Sequence, residues 1–338
     1  MSLLLPGLLS LLLAAALTAY LASPIARIRW LDVPNERSLH RAPVPRTGGL
    51  GILGGALAGW LALSAFAMPP AWLAWPAAAT LLVAGVSLLD DWRGLPVLAR
   101  LAAHGTAATM VLMAGLLPGS VAMGPLQLAL PGWIMAPVML LFLVWMINLY
   151  NFMDGMDGFA GGMAAVGFGT MALLGALAGA DLFAGVTLSI ALAAGGFLLF
   201  NFPPARIFMG DAGASTLGLL AGVAMLWADH ESIFPIWIGV LIFSPFIADA
   251  TMTLVARALR REPVWRPHRS HCYQRLVRSG WGHRRTVVVA YGLMLLSGAG
   301  ALAALHWAHP VVDLLIVLVF VAIYATIYTY VQILREQP

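Results

Sequence analysis

Two carboxylates three residues apart mark the stretch of the sequence best suited to chemistry, which runs from Asn148 to Gly158. Asp154 and Asp157 are each followed by a glycine, which lets the backbone turn sharply and come close to a ligand. Apolar sequence flanks the stretch on both sides, and acids at the end of an apolar segment are costly unless water, a metal or a partner compensates them. One Asp would explain a helix cap, but two Asp together with Asn148 and Asn151 would not. We predict a binding loop in which Asn151, Asp154 and Asp157 recognise the polar edge of a ligand.

Adjacent acids end an apolar segment at Asp90 and Asp91, within Leu88-Leu-Asp-Asp-Trp-Arg93. Neighbouring carboxylates repel each other, so ionising both requires compensation, for example by a divalent cation or a phosphate-bound cation. A solvated helix end with Arg93 as counter-ion is the simpler alternative. We favour a functional pair, because the chain has only 14 acidic residues, and we expect Arg100 to face the same site.

A third acid, Asp211, stands directly before an apolar segment that begins near Gly213. The start of a helix carries partial positive charge, which stabilises and orients an acid there. This context makes Asp211 the best candidate metal ligand in the chain. Phe208, three residues earlier, offers a flat face for a nucleobase, although aromatic residues also anchor proteins at membrane interfaces.

Two basic segments are candidates for anion binding. In the first, Thr47 and Gly48 open an apolar segment after several arginines, and N–H groups at a helix start attract anions. An ordinary basic loop touching lipid phosphates is the alternative there. The second segment, Arg266-Pro-His-Arg-Ser-His-Cys-Tyr-Gln-Arg275, mixes arginine with His268 and His271, and His283 follows. Arginine suits phosphate binding and histidine handles protons near neutral pH.

The composition predicts which elements position these residues. The chain has 338 residues, of which 61% are hydrophobic and 9% charged, far from the usual composition of soluble proteins. Apolar runs of about 17–25 residues fit membrane-spanning helices, whereas a membrane β-barrel would show alternation. We therefore predict an all-α polytopic membrane protein with about eleven spans. The spans are 3–23, 48–67, 72–89, 97–117, 133–150, 160–179, 182–201, 213–228, 233–256, 286–305 and 311–334.

The arginines predict the orientation of these helices. All 18 basic residues are arginines, and with this set of spans they fall in or beside alternate connections or at the C-terminus, with Arg100 just inside the span 97–117. By the positive-inside rule the N-terminus is periplasmic and the C-terminus cytoplasmic. The cytoplasmic loops then lie near 24–47, 90–96, 151–159, 202–212 and 257–285. They contain all the candidate site residues except Gly48, Arg100 and Asn201, which lie just beside them.

Other features limit the function classes. The single cysteine, Cys272, excludes an internal disulfide framework. Inner-leaflet lipids and anionic substrates account for the basic balance, so no nucleic acid is required as a partner. We find neither a repeat nor a low-complexity linker, and we predict one membrane domain spanning 1–338.

The motifs together resemble the polyprenyl-phosphate N-acetylhexosamine-1-phosphate transferases, a branch of glycosyltransferase family 4. The matching segments are Asp90-Asp91, Asn151-Phe-Met-Asp-Gly-Met-Asp-Gly158, Asn201 through Asp211, Pro34 to Gly51 and the His/Arg segment at 266–276. Where the family usually has His-x-His-His, this chain has His271-Cys-Tyr-Gln274 and keeps only the first histidine. The branch that initiates O-antigen-type or common-antigen chains is the most similar.

The resemblance implies a reaction in a bacterial inner membrane. An N-acetylhexosamine 1-phosphate passes from a UDP-sugar to undecaprenyl phosphate, with Mg²⁺, or Mn²⁺ in its place, and UMP is released. The partners are then the UDP-sugar, the lipid phosphate and the bilayer. Whether the protein also forms a homodimer is left undecided by the resemblance. Phosphoryl transfer depends largely on positioning and charge neutralisation, which suits the acids and arginines of this chain.

Roles for individual residues follow from the resemblance and the residue chemistry together. Asp211, helped by Asp91, holds Mg²⁺ against the donor diphosphate, and Asp90 orients or deprotonates the lipid phosphate. The remaining expectations concern substrate contacts: Asn151, Asp154, Asp157 and Phe208 for uridine, Asn201, Arg266 and His271 for the diphosphate or sugar, Arg100 for the lipid phosphate, and Thr47 and Gly48 for an anion. His271 is also expected to handle a proton.

Three alternatives stay open at this point. The lipid phosphate attacks directly, or a covalent aspartyl-phosphate forms first. A transporter with an acidic gate at its cytoplasmic side would also carry acids near the membrane, but transporters tend to place them at the midplane, in repeats. A CDP-alcohol phosphotransferase is disfavoured, because the Asp-Gly-x-x-Ala-Arg pattern is absent.

Overall fold

The protein is a bundle of helices in the computed structural model, which describes residues 3–28, 30–34, 39, 42–123, 126–263 and 268–334. Over these residues the α-helices are α1 Leu4–Ala22, α2 Gly48–Leu63, α3 Ala74–Arg93, α4 Val97–Met113, α5 Gly132–Phe152, α6 Phe159–Leu177, α7 Asp181–Asn201, α8 Asp211–His230, α9 Ile236–Ile242, α10 Ser244–Leu259, α11 Cys272–Leu276, α12 Gly282–Trp307 and α13 Pro310–Ile333. A 3₁₀ turn at Ala71–Leu73 precedes α3, and a π-helical turn at Val277–Trp281 joins α11 to α12. Arg266 lies outside the described residues.

These helices confirm an all-α polytopic membrane protein. In the described part of the chain, eight are long and apolar enough to cross a membrane, with α11 and α12 counted together. The helices α2 and α4 are apolar but shorter, and α9 and α10 form a bent pair. Each of the eleven predicted spans thus has a helical counterpart, while their exact number and orientation remain predictions.

The predicted span 233–256 is wrong as one continuous helix. It is divided into α9 and α10, whose axes differ by 82°. Pro245 stands at the start of α10 and cannot donate a backbone hydrogen bond to the preceding turn, so the helix breaks there. The break directs α10 toward the segment that contains α11, which it contacts.

Small residues bring the first helices close together. On α2, Gly51, Gly55 and Gly59 recur every four residues. A Cβ atom at Gly55 would lie only 2.5 Å from the carbonyl oxygen of Ser10 in α1, so only glycine permits this approach. Close backbone packing of this kind is a main source of helix association in membranes. It fixes the position of α2, which begins at the candidate site.

The helix α8 is the centre of the bundle. Nearly all of its residues are buried, against α3 and α5 above all, whereas α13 is largely exposed along its apolar length. Two short antiparallel pairs of strands lie in connections between helices: β1 Leu31–Asp32 with β2 Val44–Pro45, and β3 Val121–Met123 with β4 Leu126–Leu128. The β1–β2 pair lies at the end of the bundle where α8 begins.

Candidate active site

The candidate site begins where the end of α3 meets the start of α8. The Asp91 carboxylate accepts hydrogen bonds from the N–H groups of Asp211, at 3.2 Å, and Ala212, at 3.0 Å. Both N–H groups belong to the first turn of α8, where they have no acceptor within the helix and carry its partial positive charge. The Arg46 side chain also donates to the Asp91 carbonyl and lies 3.7 Å from its carboxylate. A buried acid from one helix therefore anchors the helix that carries Asp211.

Asp90 is held by a different set of groups. Its carboxylate accepts the Leu95 N–H at 2.6 Å and an Arg100 guanidinium N–H at 2.8 Å. The same guanidinium nitrogen lies 3.8 Å from the Asp211 carboxylate. Arg100 thus bridges two of the predicted acids and brings positive charge to them, as expected from its position one helix after Asp90.

The acid-glycine loop brings Asp154 to the same place. Burial, followed by the charges of Asp211 and Asp91, raises the pKa of Asp154 well above its usual value, against a hydrogen bond from the Gly210 backbone. Asn151 lies beside Asp211 and donates to the Ser215 hydroxyl at 3.1 Å. The predicted convergence of Asp90, Asp91, Asp154 and Asp211 is present, although Asn151 contacts acids and α8 rather than lining the cavity described below.

Asp157 faces another part of the loop. Its carboxylate accepts the Ala205 N–H at 3.0 Å and lies 3.1 Å from Nδ1 of His283. Although burial works in the opposite direction, the hydrogen bond and charge of His283 lower the pKa of Asp157 below its usual value. The pKa of Asp157 is therefore shifted in the opposite direction to that of Asp154, three residues earlier.

Asn201 supports the loop and also lines the cavity described below. Its amide oxygen accepts the Gly158 N–H at 2.9 Å and its amide nitrogen donates to the Ile207 carbonyl at 2.8 Å. The residue is buried at the end of α7. Both polar ends of the side chain are bonded to the backbone, which positions the loop, and the predicted contact with the diphosphate or sugar stays a prediction.

The predicted anion site at Thr47 and Gly48 is wrong. The N–H groups of Gly48 and Gly49 donate to the carbonyls of Phe208, at 2.9 Å, and Met209, at 2.8 Å, and are therefore not available to an anion. The Phe208 N–H in turn donates to the Pro45 carbonyl at 2.7 Å. Thr47 is buried beside this pairing. The segment before α2 serves to hold Phe208 and the start of α8.

A polar cavity of about 230 Å³ connects these groups. Its lining includes the acids Asp32, Asp91, Asp154, Asp157 and Asp211, and it adds Arg46, Phe208, Asn201, Gln274 and His283. Because these residues come from both halves of the chain, the cavity forms only in the complete bundle. A cavity of this size and with this charged lining could bind a nucleoside diphosphate together with a cation.

The carboxylates fit a magnesium ion bound mainly through phosphate oxygens and water. No group of three or more His, Cys, Asp or Glu side chains forms a complete metal site within the described ranges. Mg²⁺ commonly takes only one or two carboxylates and completes its shell with phosphates and waters. Burial and then the neighbouring Asp211 and Asp91 carboxylates raise the pKa of Asp154, and a cation beside these acids would stabilise their ionised forms.

His271 lies beside the cavity and does not line it. The imidazole is buried, with its ring stacked on Tyr273 at 5.8 Å between centroids. Its Nδ1 is 3.4 Å from the carboxylate of Asp249. This position fits support of the loop at 271–276, and the predicted proton-handling role stays a prediction.

Comparison with known proteins identifies the family. Residues 73–229 match the model of glycosyl transferase family 4, and this range contains the five candidate acids Asp90, Asp91, Asp154, Asp157 and Asp211. The chain is 31% identical over 287 residues to a Bacillus subtilis protein named probable undecaprenyl-phosphate N-acetylglucosaminyl 1-phosphate transferase, covering 82% of this chain and 80% of the relative. The chain belongs to the polyprenyl-phosphate hexosamine-1-phosphate transferases.

Other members of this transferase family match over similar lengths. A decaprenyl-phosphate N-acetylglucosaminephosphotransferase of Mycobacterium tuberculosis is 28% identical over 364 residues, 96% of this chain and 88% of the relative. An undecaprenyl-phosphate alpha-N-acetylglucosaminyl 1-phosphate transferase of Yersinia pestis is 29% identical over 292 residues, 82% of this chain and 77% of the relative. Membership in this transferase family agrees with the convergence of acids in the site. It favours a transferase over the transporter alternative.

Several residues of this transferase site were not predicted. Asp32 and Arg46 line the cavity from the first loop, and Gln274 lines it from α11. Asp249 was not predicted as a site residue either, and Arg257, the arginine eight residues later, pairs with Glu262 at 3.0 Å. The carboxylate of Asp249 instead binds backbone N–H groups at the start of α11. Sequence offers little signal for such contacts, since they depend on how loops distant in the chain fold together.

Proposed function

We propose that this transferase moves an N-acetylhexosamine 1-phosphate from a UDP-sugar to undecaprenyl phosphate, releasing UMP. The observation that carries the proposal is the cavity in which Asp91, Asp154 and Asp211 meet Arg46 at one end of an apolar helical bundle. Both substrates are anionic and the acceptor is a membrane lipid. The site suits both substrates. Its acids can bind a cation, its basic groups can bind phosphate, and the helices around it are apolar.

The donor is held at the cavity. Phe208 lies in the cavity wall and offers a face for the uracil ring, and the ionised Asp157 and the neighbouring loop supply acceptors for the polar edge. Asp211, with Asp91 and Asp154 nearby, would hold Mg²⁺. When bound, this ion would neutralise the donor diphosphate and the charge that develops during transfer.

The acceptor phosphate belongs near Arg100 and Asp90. Arg100 is about one-third exposed and faces Asp211, so it can contact an incoming phosphate while Asp90 keeps its guanidinium in place. In the step we propose, an oxygen of the lipid phosphate forms a bond to the sugar-bearing phosphorus. The bond from that phosphorus to the bridging oxygen breaks, and UMP leaves with the electron pair.

We favour this direct attack over an aspartyl-phosphate intermediate. The carboxylates of Asp90 and Asp91 already accept hydrogen bonds from backbone N–H groups, and both lie near arginine. Such contacts stabilise a carboxylate and make it a weaker nucleophile. Trapping a labelled phospho-enzyme from the donor alone would reject the direct route.

The donor sugar is proposed from the relatives. The Bacillus subtilis, Mycobacterium tuberculosis and Yersinia pestis proteins are all named for N-acetylglucosamine, so UDP-N-acetylglucosamine is the first donor to test. The product would begin a cell-envelope glycan, either an O-antigen-type chain or a cell-wall polymer. We also propose that the protein lies in the bacterial inner membrane with this site on the cytoplasmic side, because the arginines surround the same loops.

One experiment tests the reaction. Purified protein is incubated with undecaprenyl phosphate and UDP-N-acetylglucosamine, UDP-N-acetylgalactosamine or a UDP-6-deoxy amino sugar, with Mg²⁺ or a chelator. We expect UMP and a lipid-linked sugar with at least one donor, and neither product with the chelator. Absence of UMP with every donor, together with uptake of a UDP-sugar into vesicles that contain the protein, would contradict the proposal.

A further inference from the structure

Asp249 holds the start of α11 through two adjacent backbone groups. Its Oδ1 accepts the Cys272 N–H at 2.9 Å and its Oδ2 accepts the Tyr273 N–H at 3.1 Å. The side chain is only 10% exposed, so water competes little for these bonds. Hydrogen bonds to a charged acceptor are roughly twice as strong as neutral ones. Two such bonds, one to each oxygen, fix both the position and the direction of α11.

α11 in turn rests on the acid-glycine loop. The Tyr273 hydroxyl donates to the Phe152 carbonyl at 3.0 Å, at the end of α5. A Cβ atom at Gly155 would lie 2.2 Å from that hydroxyl, so the loop between Asp154 and Asp157 passes directly against it. Gln274, the next residue, lines the polar cavity. The segment that Asp249 holds is therefore one wall of the donor side of the site.

Other groups around Asp249 support the same arrangement. The Thr253 hydroxyl donates to its Oδ1 at 3.1 Å, and Nδ1 of His271 lies 3.4 Å from that oxygen. Gln274 also turns back and accepts the His271 N–H through its side-chain oxygen at 3.3 Å. The carboxylate thus orients the whole turn from His271 to Gln274.

The helix break explains how Asp249 reaches this turn. α10 begins after the 82° change of direction at Phe243 and Ser244, and Asp249 lies in its second turn. A continuous span from 233 to 256 would keep the carboxylate along the direction of α9. The break is thus the feature that connects the late helices to the loop at 151–158.

We propose that Asp249 is a positioning residue for donor binding: through Cys272 and Tyr273 it keeps α11 against the loop that carries Asp154 and Asp157. This inference depends on the proposed function for the identity of the donor. Loss of the carboxylate charge would let α11 move from the loop, and donor binding would weaken while acceptor binding stays the same.

The kinetic test compares Asp249→Asn with Asp229→Asn in the full-length protein. Asp229 is a matched control, because it also accepts an N–H at the start of a short helix, that of Ile236 at 3.3 Å, but at the other end of α8. For Asp249→Asn we expect the donor KM to rise about tenfold, the value for losing one charge-assisted hydrogen bond, with the acceptor KM within about twofold. Asp229→Asn should leave both KM values unchanged. An unchanged donor KM, or an equal rise in both KM values, would overturn the proposal.

A second variant tests the route through Tyr273. Tyr273→Phe removes the hydrogen bond to Phe152 and keeps the ring, so it should raise the donor KM less than Asp249→Asn. If both act through the same contact, the double variant should be no worse than Asp249→Asn alone. Fully additive effects would show that Asp249 does not act through Tyr273. Asp249→Glu, which retains the charge, should recover part of the donor affinity.

Hydrogen–deuterium exchange separates this proposal from the proposed function. In Asp249→Asn we expect faster exchange in peptides from both 272–276 and 151–158, with no change in peptides from 44–49. A change restricted to 272–276, or one spread over the whole chain, would contradict the positioning role. This measurement needs no substrate, so it decides the inference even if the wild-type protein releases no UMP with any donor.

Discussion

The backbone N–H of Asp211 donates a hydrogen bond to the Asp91 carboxylate at 3.2 Å, so one acid of the site holds the helix start that carries another. The Asp91 charge occupies the positive end of α8, while the Asp211 side chain lies at the cavity beside Arg100. This relationship explains how two acids from segments 120 residues apart share one buried location. Because the Asp91 carboxylate is occupied by backbone N–H groups of α8, we expect Asp211 to be the principal ligand of a cation.

Replacing Asp211 tests its assignment as the metal ligand. Asp211→Asn should lower kcat at least about 100-fold, the cost of removing a group that stabilises transition-state charge, with little change in thermal stability. Asp181→Asn is the matched control, because Asp181 is likewise the first residue of a helix, α7, but is outside the site. UMP release and its Mg²⁺ dependence would be measured for both. Full transfer with unchanged Mg²⁺ dependence in Asp211→Asn would contradict the assignment.

The raised pKa of Asp154 predicts proton release on metal binding. Burial and the charges of Asp211 and Asp91 favour its neutral form, whereas a bound cation favours the ionised form. Apparent Mg²⁺ affinity in the presence of UMP should therefore increase with pH. Titration calorimetry in buffers of different ionisation enthalpy would measure the protons released.

Asp154→Asn provides the control for this measurement. The variant has no carboxyl group at 154 to lose a proton, so both the proton release and the pH dependence should decrease. If the wild-type protein and the variant release equal numbers of protons, another group is responsible.

The lowered pKa of Asp157 predicts that the stability of the fold decreases as the pH falls. Its pKa is lowered in the folded protein, so its ionised form stabilises the fold above the ordinary carboxyl range, and this contribution is lost as pH falls through the folded-state pKa. Asp157→Asn should be less stable than wild type by roughly 1–2 kcal/mol at pH 7, the usual value for a charged hydrogen bond. The difference should shrink below about pH 4. Thermal unfolding in detergent at several pH values would measure it.

His283 is the partner through which this effect should act. His283→Gln should cause a similar loss at neutral pH, and the double variant should cost little more than either single change. Independent, additive losses would show that the pair is not the source of the lowered pKa.

Arg100 should affect the lipid acceptor. Arg100→Gln removes the group that bridges Asp90 and Asp211, and kcat/KM for undecaprenyl phosphate should fall about tenfold or more. Arg100→Lys should recover only part, because an ammonium cannot reproduce the planar arrangement of donors. Arg206→Gln is the control, since Arg206 is exposed and its guanidinium lies over Phe200, at 5.7 Å. An equal loss in Arg206→Gln would indicate a general effect of charge.

Gly49 should tolerate no side chain. A Cβ atom there would lie 2.4 Å from the Gly213 Cα and 2.5 Å from its nitrogen, both backbone atoms that cannot turn away. Gly49→Ala should destabilise the protein by about 1–3 kcal/mol and reduce activity. Gly85→Ala on α3 has open space around it and should be neutral or slightly stabilising. Unfolding temperatures of the two variants would show the opposite signs, and equal temperatures would contradict the close contact.

Much of the fold and most of the acids could be predicted from the sequence because membrane helices and charges obey simple rules. Long apolar runs require helices, and acids in such a chain are costly enough to indicate a use. Asp90, Asp91, Asp154 and Asp211 were found on that basis and do converge. Pro245 could have indicated the break between α9 and α10, but the length and apolarity of 233–256 favoured one span.

The errors come from contacts that join distant segments. Gly48 looked like an anion site because its N–H group opens a helix, but the backbone at 208–209 accepts the hydrogen bonds of Gly48 and Gly49. Asn201, which was predicted to contact substrate, lines the cavity, and its amide also connects Gly158 to Ile207, a contact that the sequence did not indicate. Asp249 was not predicted as a site residue, and its carboxylate binds the backbone at the start of α11. A residue's type indicates which bonds it can make, and only the three-dimensional structure decides which partner makes them.

The wall of the cavity that contains Gln274 and His283 has a consequence for how the protein becomes active during its synthesis. These residues emerge from the ribosome after all the helices that carry the acids, so a nascent chain with α1 to α8 already inserted still lacks one side of the cavity. Premature termination anywhere before α12 would therefore give a membrane-inserted product without catalytic competence. The site is therefore complete only after the chain through the start of α12 has been made.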